Sequence, residues 1–143
     1  MARAARLLLT NGHPGTVVLP PDHGTTPKCG RAERWLFVLN NYTEAEEEKI
    51  ARLFDDKGKN IKYLVFGREI APTTLTPHLQ GFVVFKSTYR PTLAGIIRLF
   101  DINRNGVNPV HFKISTCRNL IDAADYCKKD GDFFQTGTLP EPP

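Results

Sequence analysis

Two apolar runs rich in β-branched and aromatic residues, IKYLVFGRE and HLQGFVVFKS, flank a loop of eight residues with two prolines, IAPTTLTP. Both runs read as strands, and strands so closely joined pair as a hairpin. Pairing strand 62–70 with strand 78–86 constrains everything around it. Within the second strand His78 and Gln80 are two residues apart, so they share a face with Phe82 and Val84. Across the ladder Glu69 falls beside His78 or Gln80, with Cβ atoms about 5 Å apart. An imidazole, an amide and a carboxylate therefore converge where the alternation asks for core residues.

The remaining segments extend this pattern. RWLFVLNNY (34–42) reads as a buried strand. Thr43 and Glu46 then form a capping box at the start of an acidic first turn, which suits the positive end of a helix. That helix is expected to reach Phe54 and bury Ile50, Leu53 and Phe54, with DDKGKN as the turn that ends it. PTLAGIIRLF predicts a helix from Pro91, a residue suited to a first helical position. NRNGVNP is a turn, VHFKIS a strand, RNLIDAADYCKK a helix ended at Asp130–Gly131, and DFFQTG a last short strand. The order β-α-β-β-α-β-α plus a short β defines an α+β fold of the split βαβ kind. Its sheet is mostly antiparallel, with helices packed on it.

Length and composition bound the function. The chain's 143 residues suffice for one domain with a proper core. A net charge of +4 permits a polyanionic partner without requiring one. Three cysteines with no CxxC spacing suggest neither a zinc knuckle nor a disulfide framework, and a reducing setting is the simpler reading. No apolar stretch is long enough to cross a membrane. Residues 1–31 are rich in Pro, Gly and Thr and read as a flexible arm. TGTLPEPP reads as the start of a linker, so a chain cut from a longer protein is expected, with the folded domain over residues 32–138.

Two clusters carry chemistry. Glu69, His78 and Gln80 offer one imidazole and two oxygen ligands with open positions, a set suited to Mg²⁺ or Mn²⁺ more than to zinc. The plain structural alternative is a His78 bonded to a loop backbone and a Gln80 at a sheet edge. On the last helix the expected apolar stripe is Leu120, Ile121, Ala124 and Cys127. Tyr126 lies about 200° from Ala124, off that stripe, and shares a face with Lys129 three residues on. A phenol ordinarily ionises near pH about 10, and a neighbouring ammonium stabilises the phenolate, which makes Tyr126 a candidate nucleophile. Its plain alternative is an amphipathic tyrosine at the domain surface. A divalent cation and a Tyr/Lys face together suit phosphodiester transesterification.

Three motifs in order resemble those of the replication-initiator endonucleases (Rep) of circular single-stranded DNA viruses, nearest the circovirus-like group. FVLNN (37–41) resembles a first motif linked to DNA recognition. PHLQG (77–81) resembles the metal-binding motif of the HUH endonucleases in its His-hydrophobic-Gln form. YCKKDG (126–131) resembles the motif holding the nucleophilic tyrosine and a lysine three residues on. The resemblance covers about residues 32 to 138. It implies a five-stranded antiparallel sheet and Glu69 as the acidic metal ligand. It also implies a nick in single-stranded DNA at a viral origin stem-loop through a 5′-phosphotyrosine, followed by rejoining. In that family a helicase domain follows, to which homo-oligomer contacts would belong, and the work is done in the host nucleus. No GxxxxGK[ST] loop occurs in this sequence.

For DNA contacts the candidates are Arg34, Arg68 and Lys128 as cations and Asn40 and Asn41 as amides able to read base edges. The competing reading is a non-catalytic RRM-like single-strand-binding module, in which QGFVVF supplies stacking aromatics. That reading gives no reason for Glu69, His78 and Gln80 to meet, or for Tyr126 to stand beside Lys129.

Overall fold

The computed structural model describes residues 30–140. Nearly all of the expected N-terminal arm, Cys29 with it, and residues 141–143 of the expected linker lie outside the described residues. Among the described residues, Arg31 bridges Thr92 and Leu139 packs on the core.

Five strands form a single sheet: β1 (Arg34–Asn40), β2 (Ile61–Ile70), β3 (Pro77–Phe85), β4 (His111–Ile114) and β5 (Phe133–Gly137). The spatial order is β4-β1-β3-β2-β5, and every pairing is antiparallel. The α+β sheet expected from the sequence is therefore present. β3 is central and its residues His78–Phe85 are all buried, which explains why its sequence lacks a polar face.

Helices cover both faces. α1 (Glu44–Ala51), α2 (Leu53–Lys57) and α3 (Leu93–Phe100) pack on one side through Ile50, Leu53, Ile96 and Phe100. α4 (Leu120–Cys127) covers the other side through Ala123, Ala124 and Cys127, over Leu36, Tyr63, Val65, Phe82 and Val84.

The caps follow their chemistry. Thr43 Oγ1 accepts from the Glu46 amide at 3.1 Å while Glu46 Oε1 accepts from the Thr43 amide at 3.0 Å. The helix expected to reach Phe54 is instead two pieces hinged at Arg52, and the second continues to Lys57 before a 3₁₀ turn at Gly58–Asn60. α3 starts after Thr92, not at Pro91, because the Thr92 hydroxyl accepts from the Gly95 amide at 3.1 Å, a cap that proline cannot supply. On α4 Ile121 is exposed and Ala123 is buried, so the core stripe is rotated from the expected one.

The core of the first face is aromatic. Phe37 meets Phe100 edge-on at 5.0 Å between ring centroids, and Phe100 meets Phe112 at 4.9 Å. Phe37 lies opposite Gly81 in the ladder, and its ring lies across the bare glycine where a Cβ would otherwise stand. Gly81→Ala should therefore overpack a ring that has nowhere to go, costing about 1–3 kcal/mol. In urea the expected result is a lower midpoint at unchanged slope; an unchanged midpoint contradicts the packing account.

Candidate functional site

Register fixes the site. Glu69 pairs with His78, and His78 pairs in turn with Asn40, so three polar residues from adjacent strands form one row on the α4 face. The next row is Val38, Gln80, Gly67 and Phe133. Glu69, His78 and Gln80 are all buried, and buried polar groups at neighbouring positions require partners. His78 Nε2 stands 3.2 Å from Glu69 Oε1. The Lys129 ammonium donates to Glu69 Oε2, and the Lys129 side chain is only 6 % exposed. Burial pushes the Glu69 carboxyl up, but the hydrogen bonds from His78 and Lys129 outweigh it, and its pKa lies below the ordinary value. Among the described residues, Gln80 Nε2 has no hydrogen-bond partner.

That orphaned amide is the test of fit for a divalent cation. A glutamine amide carries an oxygen beside its nitrogen, and with the amide turned over the same side chain presents that oxygen to the row. Glu69, already ionised and matched to a cation, His78 and Gln80 supply two oxygens and one nitrogen, which fits Mg²⁺ or Mn²⁺. Among the described residues no group of three His, Cys, Asp or Glu side chains could hold a metal. The fit therefore depends on the glutamine.

α4 brings the second cluster to the first. Asn119 caps the helix, its Oδ1 accepting from the Ile121 and Asp122 amides. At the other end Lys129 folds back. Its ammonium lies 4.0 Å from the centroid of the half-buried Tyr126 ring and 3.4 Å from the Tyr126 carbonyl oxygen while also holding Glu69. One lysine thus joins the phenol-bearing helix to the carboxylate row.

This close approach depends on Gly67, which the sequence reading missed. A Cβ there would fall inside the carbonyl oxygen of Cys127, the last residue of α4. A glycine inside a strand often marks such a backbone approach, so the signal was present in IKYLVFGRE. The Cys127 thiol is sealed beneath, and burial pushes its pKa up.

The other candidates divide. Asn40 lies in the polar row, and Asn41 follows it with φ 54°, a left-handed conformation that asparagine tolerates. Arg104, also missed, holds this turn. Its guanidinium donates to the carbonyls of Asn40 and Asn41, each at 3.1 Å, and binds both oxygens of Glu46. It sits in a turn segment, where nothing in the sequence marks it. Arg34 shares the face but is six residues along β1, about 20 Å from Asn40, and donates to the Cys117 carbonyl. Arg68 does not join the row. It alternates to the opposite face, where Glu47 and Asp132 hold its guanidinium. Lys128 stands at the end of α4 with its ammonium 5.5 Å from the Phe133 ring centroid. Phe82 and Phe85 of QGFVVF, the stacking aromatics of the RRM-like alternative, are fully buried and cannot stack on a base.

The fold and row define an α+β domain with a buried Glu–His–Asn row and Gln80 beside it, under a tyrosine-bearing helix. The family described as putative viral replication protein matches residues 32–130, and the chain belongs to it, as a Rep domain of circular single-stranded DNA viruses. It is 35 % identical over 104 residues to the Replication-associated protein of Human associated cyclovirus 1, covering 73 % of this chain and 33 % of that protein. It is 31 % identical over 109 residues to the Replication-associated protein of Canary circovirus, covering 76 % and 33 %. With Para-Rep C2 of Milk vetch dwarf C2 alphasatellite the identity is 35 % over 106 residues, covering 74 % and 34 %. The chain spans about a third of the length of these relatives.

Two outcomes test this arrangement. Gly67→Ala should lift the end of α4, with a stability loss of about 1–3 kcal/mol and new reactivity of Cys127 toward a thiol reagent, read by peptide mapping. Unchanged protection of Cys127 contradicts the close-approach account. The second concerns Glu46, whose pKa lies below its usual 4.5 because of the Arg104 hydrogen bond. A depressed folded pKa stabilises above the unfolded pKa and is lost as pH falls through the folded one. The stability advantage over Glu46→Gln should therefore be full near neutral pH and shrink below pH about 4.5; a constant advantage in denaturation across that range contradicts it.

Proposed function

We propose that this domain nicks single-stranded DNA at a viral replication origin and later rejoins it, through a 5′-phosphotyrosine on Tyr126. The observation that carries the reading is Lys129 bridging the Tyr126 ring and the buried Glu69 carboxylate. The relatives named Replication-associated protein support the wider role in viral replication.

In this reading the Tyr126 phenolate oxygen attacks the scissile phosphorus. The P–O3′ bond breaks, and the departing 3′-oxygen takes a proton to become a free hydroxyl. The phosphotyrosine keeps the phosphodiester energy, so a later 3′-hydroxyl reverses the step and expels Tyr126. Lys129 stabilises negative charge on the phenol as it attacks. Glu69, His78 and Gln80 hold a divalent cation, Mn²⁺ or Mg²⁺, which when bound supplies Lewis-acid polarisation of a phosphate oxygen. In this reading Asn40 and Asn41, whose carbonyls accept from Arg104, read bases beside that phosphate. The DNA is an origin stem-loop, and the setting is the host nucleus, as in the family it resembles.

A labelled single-stranded oligonucleotide carrying the origin of a related virus, incubated with Mn²⁺, should give a denaturation-resistant adduct. The adduct should vanish in EDTA and in Tyr126→Phe. An adduct with Tyr126→Phe moves the nucleophile elsewhere. Gln80→Ala should weaken Mn²⁺ affinity at least several-fold in calorimetry while the metal-free melting temperature stays within a few degrees; a large melting loss instead makes Gln80 a packing residue.

A further inference from the structure

Phe133 has no part in the chemistry above, yet it lies on the same face. It pairs with Gly67, which pairs with Gln80, so its ring stands two strands from the proposed ligand, about 10 Å away. The ring is 38 % exposed, on the outermost strand of the sheet, so part of its surface is open to a partner. Its neighbour Phe134 points the other way and stacks on Phe66 at 5.3 Å, so the core of β5 is already supplied.

The ring is also held in place. The turn from α4 closes through Gly131 in the left-handed region, its amide donating to the Lys128 carbonyl at 3.0 Å. The start of β5 is fixed by the Arg68 amide donating to the Asp132 carbonyl and by the Arg68–Asp132 ion pair, both 2.8 Å. The same turn sets the Lys128 ammonium over the Phe133 ring at 5.5 Å. Arg68, a candidate DNA contact by sequence, thus serves the site from behind.

We propose that Phe133 and Lys128 form a nucleotide-binding subsite for single-stranded DNA. The base of a nucleotide flanking the scissile phosphate stacks on the Phe133 ring, and its phosphate pairs with the Lys128 ammonium. Stacking accepts any base, because every base presents a π face, so this subsite contributes affinity and leaves sequence reading to Asn40 and Asn41. The inference rests on the proposed DNA-nicking function and adds where the strand lies: past the C-terminal end of α4 toward the β5 edge.

The test separates binding from cleavage. Affinity for fluorescein-labelled (dT)12 and for a labelled mixed-sequence 20-mer is measured by anisotropy in EDTA, in a Tyr126→Phe background. Phe133→Ala should weaken both roughly five- to hundredfold, Phe133→Leu should weaken them similarly, and Phe133→Trp should restore binding. Raising the salt should erase the effect of Lys128→Ala and leave that of Phe133→Ala, since only the former is electrostatic. Parent-like binding by Phe133→Leu, or no binding of either probe by the parent, overturns the subsite. A missing Mn²⁺-dependent adduct together with a Phe133 effect overturns the nuclease reading and leaves the subsite standing.

Discussion

The register between β2 and β3 is the constraint on which the rest depends. Glu69 meets His78 because the hairpin pairs residue 69 with 78, and β1 adds Asn40 to the same row. Side chains alternate with a period of two, so a slip of one residue would send the carboxylate and imidazole to opposite faces. The buried apolar neighbours enforce the pairing. Val65 and Phe82 must face α4 while Leu64, Phe66 and Leu79 must face the other core. Polar ligands thus borrow their placement from hydrophobic patterning two residues away.

The second requirement is a short distance between helix and sheet. Burying Glu69 and Lys129 together carries a desolvation cost that only good geometry offsets. Gly67 provides the geometry by letting the backbone of α4 rest directly on β2. Lys129 can then reach Glu69 while its ammonium stays against Tyr126. Removing either partner would strip a buried charge of its main counter-charge, so the pair ties α4 to β2. Behind the sheet the Arg68 contacts with Glu47 and Asp132 fix α1 and the start of β5, and on the far side Arg104 fixes the turn after β1.

Much of this was legible in the sequence, for physical reasons. β-branched and aromatic runs marked all five strands, and the short loop forced the hairpin that brings Glu69 to His78. The cap at Thr43 marked one helix start because its side chain has a local partner in Glu46. Four things were less legible. The partners that hold Arg68, Glu47 and Asp132, are distant in sequence, and its direction is set by strand parity. Arg104 acts on carbonyls more than sixty residues away, which no local pattern reports. The rotation of α4, exposing Ile121, follows from how closely Gly67 admits the helix, a tertiary effect. Phe133 read as an ordinary strand residue because its exposure depends on β5 being an edge.

A titration of isotope-labelled protein with Mn²⁺, followed by paramagnetic broadening in NMR spectra, tests the central claim most directly. The account predicts that resonances of Asn40, Glu69, His78, Gln80 and the end of α4 broaden first, while those of Leu64, Phe85 and Phe100 in the opposite core persist. Broadening that begins instead at the acidic turn of α1, around Glu44–Glu48, would contradict it.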